Sequence, residues 1–322
     1  MNQSMWHASG SNALEVRELA VFFGLLLGAI FLVVIGIALL SLTRRHRGIQ
    51  QEPLEGSHVP SFETESRLRI VVSVATALTV LILLGLTVVS VSVGRTVSAS
   101  TAPPGSLPIE VTGAQWWWKI RYTNDDPRRI FATANEIHIP VGRPVAIRGG
   151  SDDVIHSFWV PSLQGKRDLI PGHTTVEWLQ ADKPGEYRGQ CAEFCGLQHA
   201  HMAFWVVAET PDQFNAWFDH QLQPAAEPAD DQTKRGQDIF LKSGCVLCHA
   251  IRGTNAGAQI GPDLTHFGGR KTIAAGTLPN TKGNLAGWIA DPQNIKPGTH
   301  MATVPIQPAE MQPLIDYLES LK

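Results

Sequence analysis

The stretch CAEFCGLQHAHM, residues 191–202, places several soft metal ligands within a dozen positions. Cys191, Cys195, His199 and Met202 form the pattern Cys-x3-Cys-x3-His-x2-Met. Thiolate and imidazole ligands suit copper or zinc much better than magnesium or calcium. The thioether favours copper, because methionine is a common ligand of electron-transfer copper and an unusual ligand of zinc. The stretch therefore predicts a metal site.

Two other interpretations of this pattern remain open on spacing alone. The two cysteines could form a local disulfide or remain inert core thiols, and Met202 could simply fill a gap. An upstream imidazole, His156 in the segment HSFWVP, adds weight to a metal site. His201 competes with His199 as a ligand, and we prefer His199 on spacing.

Two segments, Asp152–His173 and Pro184–Met202, resemble the copper domain of the cytochrome c oxidase subunit II family. The resemblance implies two copper ions bridged by two thiolates, with one imidazole on each metal. The implied ligands are His156, Cys191, the backbone carbonyl of Glu193, Cys195, His199 and Met202. The Glu193 side chain is implied to bind magnesium at the boundary with subunit I.

Two uncharged apolar runs, Leu19–Leu42 and Ile70–Val93, precede this region. Each is long enough to cross a hydrocarbon core of about 30 Å. Neither shows the polar stripe that a core helix of a soluble protein would have. We therefore predict a hairpin of two transmembrane helices.

Arginine residues lie at both ends of the connection between the two runs. They are Arg44, Arg45, Arg47, Arg67 and Arg69. The positive-inside rule places this connection in the cytoplasm. We expect a bacterial inner-membrane protein whose termini and soluble domains lie on the periplasmic or outer face.

The start of the second run departs from the family pattern. The resemblance implies a carboxylate near this point, at the mouth of a proton path. Arg69 occupies the expected position, and Glu65 lies one helical turn away. Whether Glu65 substitutes for the acid, or Arg69 disables it, is left open.

From Leu107 to about Glu209 the sequence consists of short β-type runs separated by turn signals. This pattern predicts an all-β sandwich or barrel, the class of the cupredoxin domains. Examples of these runs are Ile109–Trp118, Glu136–Ile139, Pro144–Arg148, Thr174–Leu179, Gly185–Gly189 and Ala203–Ala208. A short helix is expected at Pro211–Leu222.

Three consecutive tryptophans, Trp116, Trp117 and Trp118, end the first expected strand. Alternation along a strand would put Trp116 and Trp118 on one face and Trp117 on the other. They could simply be core aromatics. The family resemblance instead implies that Trp116 is the residue through which electrons reach the copper.

The motif Cys245-Val-Leu-Cys248-His249 has the spacing of a c-type haem attachment site. Two thioether bonds would form at Cys245 and Cys248, and His249 would be an axial ligand. A chance match is the alternative for so short a motif. The motif follows a helix-like segment, Gly236–Lys242, and precedes Ile260–Leu264, a loop that ends at Met301 and a terminal helix. In this order of features residues 233–322 resemble an all-α class I cytochrome c.

The resemblance to class I cytochromes implies that Met301 is the second axial haem ligand. A methionine ligand raises the haem potential relative to two histidines. Met311, and His300 beside Met301, compete for this role. We expect Met311 to lie on a terminal helix, Pro308–Leu321, and to serve in packing.

The predicted organisation has four parts. Residues 1–98 hold the N-terminal segment and the transmembrane hairpin, and residues 99–222 hold the cupredoxin-like dicopper domain. Residues 223–232 are polar and rich in proline and alanine, as is typical of a linker. Residues 233–322 form the cytochrome c domain.

Charge is distributed unevenly between the two soluble domains. The whole chain has a formal net charge of −3, which suggests no nucleic-acid partner. Residues 107–220 contain ten basic and fourteen acidic residues, whereas residues 233–322 contain nine basic and six acidic residues. Opposite charge favours docking of one domain on the other, and Asp152 and Asp153 are candidate docking residues.

These features predict subunit II of a caa-type cytochrome c oxidase with a fused cytochrome c. Electrons would pass from cytochrome c, or from a quinol–cytochrome c reductase complex, through haem c and the dicopper centre. Subunit I would reduce dioxygen, and subunit III is a further expected partner beside membrane lipid. The alternatives are the dicopper subunit of a nitric oxide reductase and a non-enzymatic copper-delivery membrane protein. A quinol oxidase subunit should lack the copper ligands, which are present here.

Overall fold

In a computed structural model, the described residues are 3–48, 62–97 and 102–322. They fall into two compact units. The first unit lies within Glu15–Ser98, and the second lies within Met1–Leu14 together with Ala99–Lys322. The second unit contains a β domain, residues 102–222, and a helical domain, residues 231–322. The predicted cytoplasmic connection lies largely outside the described residues.

Two long helices carry the predicted membrane spans. Helix α1 is Ser11–Gly48 and helix α2 is Phe62–Val97. The most apolar stretch of 18 residues has a mean hydropathy of 3.0 within Ser11–Arg44 and of 2.5 within Glu65–Val97. Both helices are therefore long and apolar enough to cross a membrane, and both extend beyond the runs predicted from the sequence.

The first turns of α2 contain the pair of residues that departs from the family pattern. Arg69 Nη2 donates to Glu65 Oε1 at 3.2 Å, and both side chains are exposed. The i, i+4 spacing brings the two side chains to one face of the helix. The carboxylate that could substitute for the expected acid is thus paired with a guanidinium.

The β domain is a sandwich of two five-stranded sheets. One sheet has the order β3-β2-β1-β5-β8 and the other has the order β4-β10-β9-β6-β7. The strands are β1 Leu107–Ala114, β2 Trp117–Tyr122, β3 Phe131–Ala134, β4 Glu136–Pro140, β5 Val145–Ser151, β6 His156–Trp159, β7 Arg167–Leu169, β8 Thr175–Leu179, β9 Gly185–Cys191 and β10 Ala203–Glu209. Helix α3, Pro211–Gln221, follows the last strand.

Aromatic residues fill the space between the two sheets. Trp118 is fully buried, and its ring meets the rings of Phe158 and Phe204 edge to face at 5.9 and 5.1 Å. Such pairs add to the stabilisation that burial alone provides. Three short strands, β3, β6 and β7, were not predicted, because runs of three or four residues give little periodicity to detect.

The prediction of one strand over Ile109–Trp118 is wrong. Strand β1 ends at Ala114, Gln115 and Trp116 form a turn, and β2 begins at Trp117. The turn contains neither glycine nor proline, so the usual turn signals are missing. A distant residue helps to hold it instead, since the Asp153 carboxylate accepts the Gln115 N–H at 2.6 Å.

The helical domain surrounds its own hydrophobic core. Its helices are α4 Asp231–Lys242, α5 Lys282–Ala290, α6 Pro292–Ile295 and α7 Pro308–Ser320, with a small hairpin of β11 Thr272–Ile273 and β12 Leu278–Pro279. Helices α4 and α7 cross closely at Gly236, where a Cβ atom would overlap the carbonyl oxygen of Pro313. Phe240, Leu314 and Tyr317 are buried around this crossing.

The predicted linker is partly structured. Helix α4 begins at Asp231, and the Asp230 side chain caps it by accepting the Thr233 N–H at 2.7 Å. Ala225 N donates to Arg252 O at 2.9 Å. Residues 223–232 therefore do not act only as a free tether, because both ends of the segment contact the helical domain.

A buried charge cluster joins β4 and β10. Both ring nitrogens of His138 lie 3.0 Å from carboxylate oxygens, one of Glu136 and one of Glu209. Burial opposes protonation of His138, but the two carboxylates outweigh it and raise the histidine pKa. Burial also opposes ionisation of Glu136, yet the hydrogen bond with His138 leaves the pKa of Glu136 lowered.

This cluster predicts a pH-dependent contribution to stability. The His138 contribution is complete below its ordinary pKa of 6.5 and is lost as pH rises through the raised folded value. The Glu136 contribution is complete above its ordinary pKa of 4.5 and is lost as pH falls through the lowered value. In thermal unfolding of the detergent-solubilised chain, His138→Gln should lower the midpoint most between these two pH values.

The matched control for this experiment is His173→Gln, which changes an exposed histidine of the same domain. It should leave the unfolding midpoint unchanged across the same pH range. A midpoint loss for His138→Gln that stayed constant from pH 5 to pH 9 would contradict the charge assignment.

Candidate metal and haem sites

The sequence-predicted copper ligands converge at one end of the sandwich. Cys191 ends β9. The loop after it carries Glu193, Cys195, His199 and Met202, and β10 begins at the next residue. Strand β6 pairs with β9 through Phe158 and Cys191, which brings His156 to the same end. A Cβ atom at Gly113 would lie 2.6 Å from His156 Cδ2, so only glycine leaves room for this ring.

All six predicted copper ligands lie together around the two sulfur atoms. The sulfurs of Cys191 and Cys195 are 3.7 Å apart. Cys191 Sγ lies 3.8 Å from His156 Nδ1 and 3.2 Å from Glu193 O, and Cys195 Sγ lies 3.6 Å from His199 Nδ1 and 3.8 Å from Met202 Sδ. Each imidazole thus turns its Nδ1 atom towards a different sulfur.

The two thiols differ in acidity in this arrangement. The hydrogen bond between the two sulfurs lowers the pKa of Cys191 and raises the pKa of Cys195. Thiolates, not thiols, are the metal ligands. The site already favours one thiolate, and the donor set fits a soft metal ion.

Asp153 has a different role from the one predicted. Its Oδ1 lies 2.8 Å from His156 Nε2, on the side of the ring opposite to the sulfurs. A carboxylate in this position fixes the tautomer and orientation of a metal-binding histidine. The spacing of three residues between Asp153 and His156 was a signal that sequence reasoning overlooked.

The proposed docking role of Asp152 and Asp153 is not supported by their placement. Asp152 forms an ion pair with Lys119 of its own domain. Among the hydrogen bonds and ion pairs of the described residues, neither aspartate contacts the helical domain. Contacts between the two domains use other residues.

The competing imidazole, His201, turns away from the sulfurs. Its Nδ1 lies 2.8 Å from Gln198 Oε1, and its ring is exposed. His199 is the imidazole that faces Cys195, in line with the preference based on spacing.

The haem-attachment motif opens into a cavity of about 210 Å³ in the helical domain. Cys245, Cys248, His249 and Met301 all line it, together with apolar side chains such as Phe267. Met311 belongs to the hydrophobic core of the helical domain instead. The cavity therefore brings together the four residues predicted to hold haem c.

His249 is oriented for iron binding through one nitrogen. Its Nδ1 lies 2.8 Å from the carbonyl oxygen of Pro262, which can only accept a hydrogen bond. Nδ1 is therefore the protonated nitrogen, and Nε2 is left with a free lone pair. Burial lowers the pKa of His249, which keeps the ring neutral.

Trp116 touches both sites. Its indole lines the haem cavity, and its Nε1 donates to the carbonyl oxygen of Cys195 at 2.8 Å. The Gln115 side chain donates to the same carbonyl at 2.8 Å. The turn that sequence analysis missed thus connects the cavity to a sulfur ligand.

Comparison with known protein families agrees with this geometry. Residues 124–209 match the family described as the periplasmic domain of cytochrome c oxidase subunit II. Residues 233–322 match the cytochrome c family. The chain carries a cytochrome c oxidase subunit II domain and a cytochrome c domain. These families imply copper and haem c, and the two donor sets described above fit these groups.

Curated relatives are named cytochrome c oxidase subunit 2. The one from Alkalihalophilus pseudofirmus is 42% identical over 215 residues, which cover 66% of this chain and 61% of the relative. The one from Bacillus sp. PS3 is 34% identical over 230 residues, which cover 67% of this chain and 63% of the relative. The chain thus spans about three fifths of the length of these relatives.

A solved structure is also similar to the subunit II domain. It is the periplasmic domain of subunit II of the cytochrome oxidase of Bradyrhizobium japonicum, which is 29% identical. The match covers 38% of this chain and 96% of that chain, with a TM-score of 0.35.

The contact between Asp153 and His156 predicts which aspartate supports the metal site. Asp153→Asn should lower copper affinity by about 10- to 100-fold, because the amide cannot orient the imidazole as the carboxylate does. Asp152→Asn, the matched control, should bind copper like the unmodified chain. Competition with a chromophoric chelator on the metal-free full chain measures both affinities. Equal affinities for the two variants would refute the orienting role.

Proposed function

We propose that this chain is subunit II of a caa-type cytochrome c oxidase, the subunit that receives electrons for a respiratory terminal oxidase. It accepts electrons from an external donor and passes them through haem c and a dicopper centre to subunit I, where dioxygen is reduced to water. The observation that carries this proposal is the position of Trp116, whose indole lines the haem cavity and hydrogen-bonds Cys195.

The dicopper form of the metal site is supported by the way its ligands divide. One sulfur has an imidazole and a backbone carbonyl beside it, from His156 and Glu193. The other sulfur has an imidazole and a thioether beside it, from His199 and Met202. Cys191 and Cys195, each with one imidazole beside it, would hold two copper ions, which would supply a one-electron carrier.

Magnesium is proposed at the Glu193 side chain. The backbone carbonyl of Glu193 faces Cys191 Sγ, so the carboxylate is not needed as a copper ligand. Carboxylate oxygen is a ligand that magnesium prefers. The rest of its coordination would come from subunit I.

Cys245 and Cys248 attach the haem, and His249 and Met301 bind its iron, in the proposed arrangement. When bound, haem c and copper supply the one-electron carriers. The chain contributes a fixed path between them, in which Trp116 bridges the cavity and the Cys195 carbonyl. A buried hydrogen bond keeps the indole in one position and therefore keeps the path short.

The two apolar helices are proposed to anchor the chain and to pack against subunit I. The arginines at the ends of the spans place the connection in the cytoplasm, with both soluble domains on the periplasmic or outer face of a bacterial inner membrane. Subunit III is a further partner. The donor would be cytochrome c or a quinol–cytochrome c reductase complex.

Spectroscopy of the purified full chain tests the two cofactor sites. With haem attached and copper bound, we expect an electron paramagnetic resonance signal of one electron shared over two copper nuclei, and an optical spectrum of low-spin haem with histidine and methionine ligands. A mononuclear copper signal would overturn the dicopper assignment and favour a copper-delivery protein. Preferential zinc binding would also overturn the dicopper assignment, without favouring copper delivery.

Turnover of the complex purified with its partner subunits tests the reaction. Oxygen consumption with a reduced cytochrome c should exceed nitric oxide consumption by a wide margin. The reverse order would support the nitric oxide reductase alternative and contradict the oxidase assignment.

The role of Trp116 predicts a mutational effect on electron transfer. Trp116→Phe keeps an aromatic ring but removes the N–H group that binds the Cys195 carbonyl, so transfer from haem to copper should slow by about tenfold, as expected for loss of a buried hydrogen bond. Trp178→Phe, the matched control, changes a tryptophan of β8 that does not line the cavity and should transfer electrons at nearly the unmodified rate. Flash photolysis measures both rates. Unchanged transfer in Trp116→Phe would exclude the indole from the path.

A further inference from the structure

Lys296 is buried where the helical domain meets the β domain. Only 2% of the residue is exposed. Its Nζ donates to three backbone carbonyl oxygens, those of Trp116 at 2.8 Å, His201 at 2.7 Å and Ala274 at 3.0 Å. The first two belong to the β domain and the third to the helical domain. The Lys296 amine therefore joins the two domains.

All three N–H donors of the Lys296 ammonium are used, and each partner is a neutral carbonyl. Burying an ammonium group is costly unless its donors are satisfied. Burial lowers the pKa of Lys296 to about 7, in agreement with that cost. A displaced helical domain would leave the buried amine without two of its three acceptors. The Lys296 amine therefore destabilises misaligned orientations of the helical domain more than it stabilises the aligned orientation.

The segment that begins at Lys296 runs across the Trp116 indole. A Cβ atom at Gly298 would lie 3.5 Å from the Trp116 ring. The ring of His300 lies 6.2 Å from that of Trp116, centroid to centroid. Met301 comes next and lines the haem cavity. Six residues thus connect the carbonyl-bound amine to the predicted axial ligand.

Other contacts between the two domains are more exposed or use the backbone. Lys271 forms an ion pair with Glu186, and both side chains are about half exposed. Ala203 N donates to Ala275 O at 3.0 Å. The first contact is expected to add little, because exposed ion pairs are weak. The second provides a backbone amide that reports on docking.

We propose that Lys296 is a positioning residue that selects one docked orientation of the helical domain, the orientation in which the Met301 segment covers Trp116. The consequence of this positioning role for electron transfer rests on the proposed function. Its consequence for docking rests only on the three carbonyl contacts.

Hydrogen exchange on the full chain with haem attached, at pH 6 and without copper, tests the docking role. Lys296→Met has a similar volume and no donor, so exchange of the Ala203 amide should accelerate by about tenfold or more, as expected when buried acceptors lose their partner. The Trp205 amide, which bonds Asn135 within the β domain, serves as an internal reference. It should exchange as in the unmodified chain.

Lys271→Met is the matched control, since it removes a lysine of the same domain that also reaches the β domain. It should change Ala203 exchange by less than about twofold, because its ion pair is exposed. If Lys296→Met disturbs the Trp205 reference as well, Lys296→Gln, which retains a shorter donor, should give an intermediate Ala203 rate with an intact reference. Unchanged Ala203 exchange in a folded Lys296→Met chain would overturn the proposal.

The copper-loaded chain gives a second readout. Haem-to-copper transfer should slow in Lys296→Met and remain nearly unchanged in Lys271→Met, while the haem spectrum stays the same in both. Faster Ala203 exchange with no dicopper signal in any variant would support the positioning role and refute the proposed function. Normal transfer together with normal Ala203 exchange would refute the positioning role alone.

Discussion

The hydrogen bond from the Trp116 indole to the Cys195 carbonyl is the contact on which the arrangement of both sites depends. Cys195 lies in the loop that gathers the predicted copper ligands, and Trp116 also lines the haem cavity. The turn between β1 and β2 has to present Trp116 at this point. The Asp153 carboxylate holds the turn through Gln115 and holds the His156 ring as well, so one side chain aligns the turn with the metal site.

The local pattern of ligands was readable from the sequence, because most of it lies within one loop. Cys191, Cys195, His199 and Met202 do converge as their spacing indicated. His156 reaches the site through pairing of β6 with β9, a contact that the sequence did not predict although His156 itself was a candidate ligand. The Trp116 turn escaped prediction because its support comes from Asp153, whose contact spans 38 positions of the chain.

The opposite net charges of the two soluble domains agree in sign with one contact between them, the Lys271–Glu186 ion pair, but they did not identify the residues that meet. The opposite signs of their totals suggested docking through Asp152 and Asp153. Asp152 is instead paired within its own domain, and Asp153 orients a predicted metal ligand. A total charge ignores which carboxylates already have partners. Besides the exposed Lys271–Glu186 ion pair, several contacts between the domains use backbone carbonyls, and one buried lysine donates to two of them, which no charge count can identify.

The fused helical domain thus differs from a partner that binds by diffusion and charge steering. A separate protein gains speed from long-range attraction between exposed charges, which salt screens. A domain held by buried hydrogen bonds depends on shape and on satisfied donors, which salt affects little. The segment between the domains is itself bound at Ala225, so it limits the orientations that are open to the helical domain. Under these constraints, the way the haem cavity faces Trp116 depends on the orientation of the docked helical domain and not on how often the two domains meet.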